Sequence, residues 1–191
     1  MFIPDRLKHP IFTFMALGIL LSSSGCQQDV VYQRSLSELN QKAQAMMNAG
    51  DYEGAVSRLE AAHDLQPEEP TTTYNLAIAY QMKGDYDKAI ATFQQVMDKP
   101  GINKAEVLKG LGISYEAKAD KAMTEAKTLE ESPKPDTTKL KQLKQEADTD
   151  FRQALEYYKQ AESGLANPEE VKAQIKALED SLKKQESGVP Q

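Results

Sequence analysis

The residues whose types could do chemistry are few. The chain of 191 residues has one cysteine, Cys26, two histidines, His9 and His63, and no tryptophan. His63 stands beside Asp64, a pair that could move protons if a nucleophile or a metal joined it. One cysteine cannot form an intrachain disulfide, and one cysteine with two histidines is too small a set for a zinc cluster or a haem-type ligand pair. No glycine-rich phosphate loop follows a strand-like run. His63 therefore reads as an exposed structural histidine, the many Glu and Lys as solvated helix faces, and the chain as a non-enzyme with no cofactor and no metal. With 29 acidic against 23 basic side chains, a net charge of -6, a nucleic-acid surface is also disfavoured, because phosphates are met by clustered Lys and Arg.

Cys26 has a distinctive approach. Arg6, Lys8 and His9 precede an apolar run, Ile11 to Leu21, and small residues Ser22 to Gly25 lead into the thiol. This is the three-part layout of an export signal. Its eleven residues, polar only at Thr13, make about 16 Å of helix at 1.5 Å per residue, half of a bilayer core of about 30 Å, so the run is not a transmembrane span. Three of the five phenylalanines, Phe2, Phe12 and Phe14, belong to this segment. The sequence Ser23-Ser24-Gly25-Cys26 resembles the lipobox of a bacterial lipoprotein precursor, with Ser23 where that family most often has leucine. The resemblance implies a signal peptide over 1–25, cleavage after Gly25, and lipidation of Cys26 with a diacylglycerol and an N-acyl chain. It implies a protein anchored in the bacterial cell envelope. Gln27, in place of the aspartate that retains such proteins at the inner membrane, favours the periplasmic face of an outer membrane in a diderm cell. Loss of Asp5, Arg6 and Lys8 with residues 1–25 leaves 21 basic and 28 acidic side chains. Residues 26–34 read as a short coiled tether to a helical domain over 35–186, and 187–191 as a disordered tail.

Beyond the tether the chain repeats. Gly50-Asp51-Tyr52 with Ala55 recurs as Gly84-Asp85-Tyr86 with Ala89, each residue 34 further on. Ala43 pairs in the same way with Ala77, Met46 with Tyr80, and Leu59 with Phe93. Small and large apolar positions at helical spacing flank a glycine turn, so the unit is helix, turn, helix. Glycine ends the first helix in the left-handed conformation, and alanine lets the second approach closely. The second unit, Tyr74-Asn-Leu-Ala-Ile-Ala-Tyr80 through Gly84-Asp-Tyr to Ala89 and Phe93, resembles the tetratricopeptide repeat. The first departs from that pattern at Lys42 but fits at Leu39, Ala43, Met46, Gly50, Tyr52, Ala55, Leu59, Ala62 and Pro67.

A third unit opens at Asn103, a helix N-cap with Glu106 at capping-box spacing. Leu111, Gly112 and Tyr115 match Leu76, Ala77 and Tyr80 one residue out of register. The expected turn is missing. Tyr115, Ala119, Ala122, Ala126 and Leu129 continue at alternating spacings of four and three, a heptad seam of mostly small side chains. Ser132-Pro-Lys-Pro-Asp136 breaks the helix, and Leu140, Leu143, Ala147, Phe151, Ala154, Tyr158 and Ala161 carry the return. An insertion over about 119–148 thus lengthens both helices into an antiparallel hairpin projecting some 20 to 25 Å, at 1.5 Å per residue. Asn167-Pro168-Glu169-Glu170 starts a capping helix over 168–186, with Val171, Ile175, Leu178 and Leu182 as its apolar stripe. The expected fold is all-α: a short tetratricopeptide-type solenoid of repeats at about 36–69, 70–103 and 104–167, with the extended hairpin and the capping helix.

In tetratricopeptide proteins the first helices line a binding groove. The resemblance implies that Asn40, Gln44, Met47 and Asn48, then Tyr74, Ile78, Gln81 and Met82, then Lys109, Ile113 and Glu116 face it here. Tyr, Ile and Met suit an apolar-anchored helix or extended segment of a protein partner. Lys109 is the sole cation of this set, which disfavours a C-terminal carboxylate as the ligand. The resulting expectation is a membrane-anchored scaffold or assembly factor of an envelope complex, binding a protein or peptide segment. Two alternatives stay open: the hairpin or capping helix covers the groove, or the chain is a structural module that self-associates through the hairpin. Oligomeric state does not follow from the sequence.

Overall fold

The computed structural model describes the backbone of residues 23–186 and the side chains of 36–184. Most of the expected signal peptide, the side chain of Cys26, and the tail 187–191 lie outside the described residues. Two compact units are distinguished, Met1–Glu38 and Leu39–Gln191. The described part of the first is helix from Ser23 onward, so the residues read as a coiled tether are helical. None of the helices among the described residues is long and apolar enough to cross a membrane.

The described elements are seven helices: α1 Ser23–Asn48, α2 Tyr52–Leu65, α3 Pro70–Lys83, α4 Tyr86–Val96, α5 Lys104–Glu130, α6 Thr137–Glu162 and α7 Glu169–Glu186. No strand occurs among the described residues. The 34-residue spacing returns as identical turns. Gly50 and Gly84 take φ of 80° and 85°. The amide of Asp51 donates to Met46 O at 2.9 Å, and that of Asp85 to Tyr80 O at 2.9 Å. This six-to-one bond across a left-handed glycine closes a helix C-terminus by satisfying carbonyls that lack intrahelical donors. Asp51 then caps α2, accepting from the Gly54 amide at 2.9 Å, whereas the Asp85 side chain does not cap α4.

Alanine at the paired positions does what its size allows. Ala43, Ala55, Ala77 and Ala89 are fully buried, and around them Met47, Leu59, Leu76, Tyr80, Phe93, Val107 and Leu111 form one core through α1 to α5. A second cluster joins Ala154, Tyr158, Val171 and Leu178 of α6 and α7. Two glycines of α5 set how near its neighbours come. A Cβ on Gly110 would lie 2.5 Å from the Phe93 ring, and one on Gly112 would lie 2.6 Å from that of Tyr158. These helix-interior glycines trade backbone entropy for close aromatic packing.

Helix α5 continues without a turn to Glu130, and Asp136 restarts the chain by accepting from the Thr138 and Lys139 amides at 3.0 Å. Ala119 and Ala126 of α5 and Leu143 and Ala147 of α6 are buried, and α5 packs along α6. The small-residue seam is thus used inside the chain. At the start of α5, Asn103 caps by accepting from the Ala105 amide at 3.0 Å. The second bond of a capping box is not made: among the described residues no hydrogen bond or ion pair reaches Glu106. Asn103 alone therefore fixes this terminus.

Candidate functional site

Helix α3 carries Tyr74, Ile78 and Met82 at successive steps of four, a stripe of about 12 Å at 1.5 Å per residue. Tyr74 is half-buried and meets Phe93 edge-on, with ring centroids 5.9 Å apart at 64°. Burial holds the Tyr74 hydroxyl above the usual tyrosine range, and the charge of Glu106 on α5 adds to the effect. Ile78 is half-buried on the first core. Met82 is 44% exposed, one of two large hydrophobic side chains so exposed among the described residues; the other is Leu65.

Several residues expected in the groove instead tie neighbouring helices together. Asn40 donates to Thr72 Oγ1 at 2.9 Å and accepts from Asn75 Nδ2 at 3.2 Å, joining α1 to α3. Gln81 donates to Gly110 O at 2.8 Å and Ser114 Oγ at 2.7 Å, joining α3 to α5. Lys109 Nζ lies 2.7 Å from Glu170 Oε2, joining α5 to α7. Glu116 accepts from the Tyr158 hydroxyl at 2.6 Å. Ile113 packs on the second cluster. Met47 is 4% exposed and belongs to the core cluster shared by α1 to α5, so it offers no groove surface. Gln44 and Asn48 are exposed and bonded to each other at 3.1 Å. The surface left for a ligand is therefore the α3 stripe with Gln44 and Asn48 on α1 and Glu106 on α5.

Sequence reasoning does not single out the partners Thr72, Asn75 and Ser114. Thr72 and Ser114 are fully buried hydroxyls, and buried polar groups must find partners. The one sequence signal for them is a small hydroxyl inside an otherwise apolar helical face. A second contact outside the sequence reading is that of Lys118, whose Nζ lies 3.0 Å from Asp87 of α4 and 3.7 Å from Asp150 of α6. Burial raises the Asp150 carboxyl, opposed by the Lys118 charge. His63 is half-buried rather than exposed, because it lines a cleft of about 360 Å³ between α2, α3 and α4 with Glu60, Asp64, Leu76, Tyr80, Thr92 and Gln95. Among the described residues no group of three His, Cys, Asp or Glu side chains could hold a metal ion.

Paired helices with repeating glycine turns and polar ties between first helices define a helical-repeat protein. A tetratricopeptide repeat family model matches residues 46–100. The chain is 31% identical over 164 residues to the photosystem I assembly protein Ycf3 of Synechococcus sp. strain WH7803, covering 82% of this chain and 80% of that one. It belongs to the tetratricopeptide repeat family. The protein of the same name from Prochlorococcus marinus strain MIT 9303 is 36% identical over 72 residues, 36% of this chain. The match spans about two fifths of that relative's length, 41%. Among solved structures, the Sgt2 tetratricopeptide domain from Aspergillus fumigatus superposes with a TM-score of 0.51 at 15% identity, covering 82% of this chain and 84% of that one. That likeness concerns the fold alone.

Proposed function

We propose that this chain is a lipid-anchored adaptor of the bacterial cell envelope that holds a segment of a partner protein on the α3 face during assembly of a membrane complex. The observation that carries the reading is the α3 stripe: Met82 stands exposed in line with half-buried Ile78 and Tyr74. Isolated exposed apolar residues are ordinary, but a continuous stripe beside polar rims is what protein contacts use. The relatives are assembly proteins by name, which supports the assembly class. The lipidated Cys26 and the outer-membrane periplasmic face rest on the sequence pattern of residues 6–27. Gln44, Asn48, Tyr74, Ile78 and Met82 are the contact residues of this reading, while Asn40, Gln81 and Lys109 keep the helices in register beneath it.

A photo-crosslinking amino acid placed at Met82, with Leu65 as the equally exposed control on α2, tests the docking face in intact envelopes. A defined crosslinked partner at 82 and none at 65 is the expected result. Crosslinks at 65 alone would move the contact off α3 and end the proposal. For the anchor, Cys26→Ser is expected to release the protein from membrane fractions, and membrane retention of that variant would refute lipidation at Cys26.

A further inference from the structure

We infer that the segment accepted by the α3 face is cationic, with apolar side chains over Tyr74, Ile78 and Met82 and a lysine or arginine reaching Glu106. This rests on the α3 face being the docking face and adds the chemistry of what docks there. Glu106 sits in the first turn of α5 and is exposed. Glu106 lies four residues before Gly110 on the same face of α5. Gly110 O accepts from Gln81 of α3 at 2.8 Å, and the Phe93 ring lies against both Tyr74 and Gly110, so this face of α5 runs beside the stripe. The Glu106 charge adds to the upward shift of the Tyr74 hydroxyl. Among the described residues the capping-box bond is absent and no hydrogen bond or ion pair reaches Glu106. Lys109, one turn further along α5, is the cation that could have neutralised it, but Lys109 is held at 2.7 Å by Glu170 of α7. The face therefore presents an uncompensated negative charge at one end of an apolar stripe and keeps its lysine occupied. Complementary charge is attracted there, and a carboxylate meets Glu106 with no counter-charge at hand.

The two first repeats add to this field. From residue 36 to 103 the acidic side chains are Glu38, Asp51, Glu53, Glu60, Asp64, Glu68, Glu69, Asp85, Asp87 and Asp98, twice as many as the basic Lys42, Arg58, Lys83, Lys88 and Lys99. A net negative body steers a basic segment toward the face and repels an acidic one, an effect weakened by salt.

The test is a selection of displayed random twelve-residue peptides on the purified full chain, followed by fluorescence-anisotropy affinities of the enriched peptides. The affinities are measured on the native protein, Glu106→Gln and Met82→Ser. Both positions are exposed, and circular dichroism melting checks that the variants fold. Enriched peptides are expected to combine apolar residues with Lys or Arg. Glu106→Gln should weaken them about three- to fivefold, as for an exposed ion pair. Replacing the peptide's cation by Gln should then cost nothing further on the Glu106→Gln protein. Peptides weakened by Met82→Ser but indifferent to Glu106→Gln, or enriched for acidic residues, would overturn the cationic partner while leaving the docking face standing. No enrichment, or peptides indifferent to Met82→Ser, would overturn the docking face and this inference with it.

Discussion

The hydroxyl of Tyr158 donates to Glu116 at 2.6 Å, while the ring of the same tyrosine lies where a Cβ on Gly112 would come within 2.6 Å. Gly112 and Glu116 are four apart on α5 and so share one face. One buried tyrosine of α6 thus reads the return helix's register twice, once by shape and once by a charge-assisted hydrogen bond. The third unit has no glycine turn to fix that register, which is why the pair matters more here than its equivalent would in a short repeat.

Gly112→Ala should destabilise the protein. In a helix interior, alanine normally exceeds glycine by roughly 0.5–1 kcal/mol. Here the added methyl must displace a ring that is 1% exposed, and overpacking of this kind costs about 1–3 kcal/mol. The sign is therefore opposite to the helix-propensity expectation, and a thermal melt followed by circular dichroism reads it. A raised melting temperature would show that Tyr158 yields freely.

The Glu116 carboxyl is held above the ordinary glutamate value by burial, partly offset by the Tyr158 hydrogen bond. Its stabilising contribution is present in full below the ordinary glutamate value and is lost as pH rises through the raised value. Urea titrations at pH 4 and pH 7 should show a smaller decline across this window in Glu116→Gln than in the native protein. Tyr158→Phe removes the group that lowers the value and leaves the carboxylate unpartnered, so its decline should be larger, with a loss at pH 7 of about 1–3 kcal/mol.

Lys118 bridges Asp87 of α4 and Asp150 of α6, and the Asp150 side chain is the more enclosed, 11% exposed against 79%. Lys118→Met leaves Asp150 without its cation. Because Lys118 itself is 39% exposed, water screens the loss and about 1 kcal/mol is expected. Adding Asp150→Asn to Lys118→Met should recover part of that, since the amide needs no counter-charge. Additive losses in the double variant, measured by chemical denaturation, would show that the two residues do not couple.

Gly84 occupies φ of 85°, and a Cβ there meets only the Tyr86 hydroxyl, at 3.9 Å. Gly84→Ala therefore suffers backbone strain without a clash, about 1 kcal/mol. Gly50→Ala, with φ of 80° and open space around it, should cost the same within a few tenths. Unequal losses in denaturation would break the equivalence of the two turns.

The helix-turn-helix units are legible in the sequence because each depends on a local property. Gly50 and Gly84 need only tolerance of positive φ, and Ala43, Ala55, Ala77 and Ala89 need only small size at helical spacing. The break at residues 132–136 is equally local, as prolines cannot continue a helix. The α3 stripe is legible for the same reason, since Tyr74, Ile78 and Met82 share a face by arithmetic alone.

Only the tertiary structure decided which polar groups are free. Asn40, Gln81 and Lys109 have the same spacing as the residues that face solvent, yet they bond to Thr72 and Asn75, to Gly110 and Ser114, and to Glu170 respectively. Met47 lies in the core although its repeat position points to the groove. Glu106 has the spacing of a capping residue, yet among the described residues no hydrogen bond or ion pair reaches it and its charge acts on the Tyr74 hydroxyl instead. The spacing of a repeat fixes the direction of a side chain relative to its own helix axis, with no dependence on the neighbouring helix. Whether a group pointing that way meets water, a partner or another helix depends on the distance and rotation between helices, which arise from side chains far apart in the chain, Phe93 on Gly110 and Tyr158 on Gly112 among them.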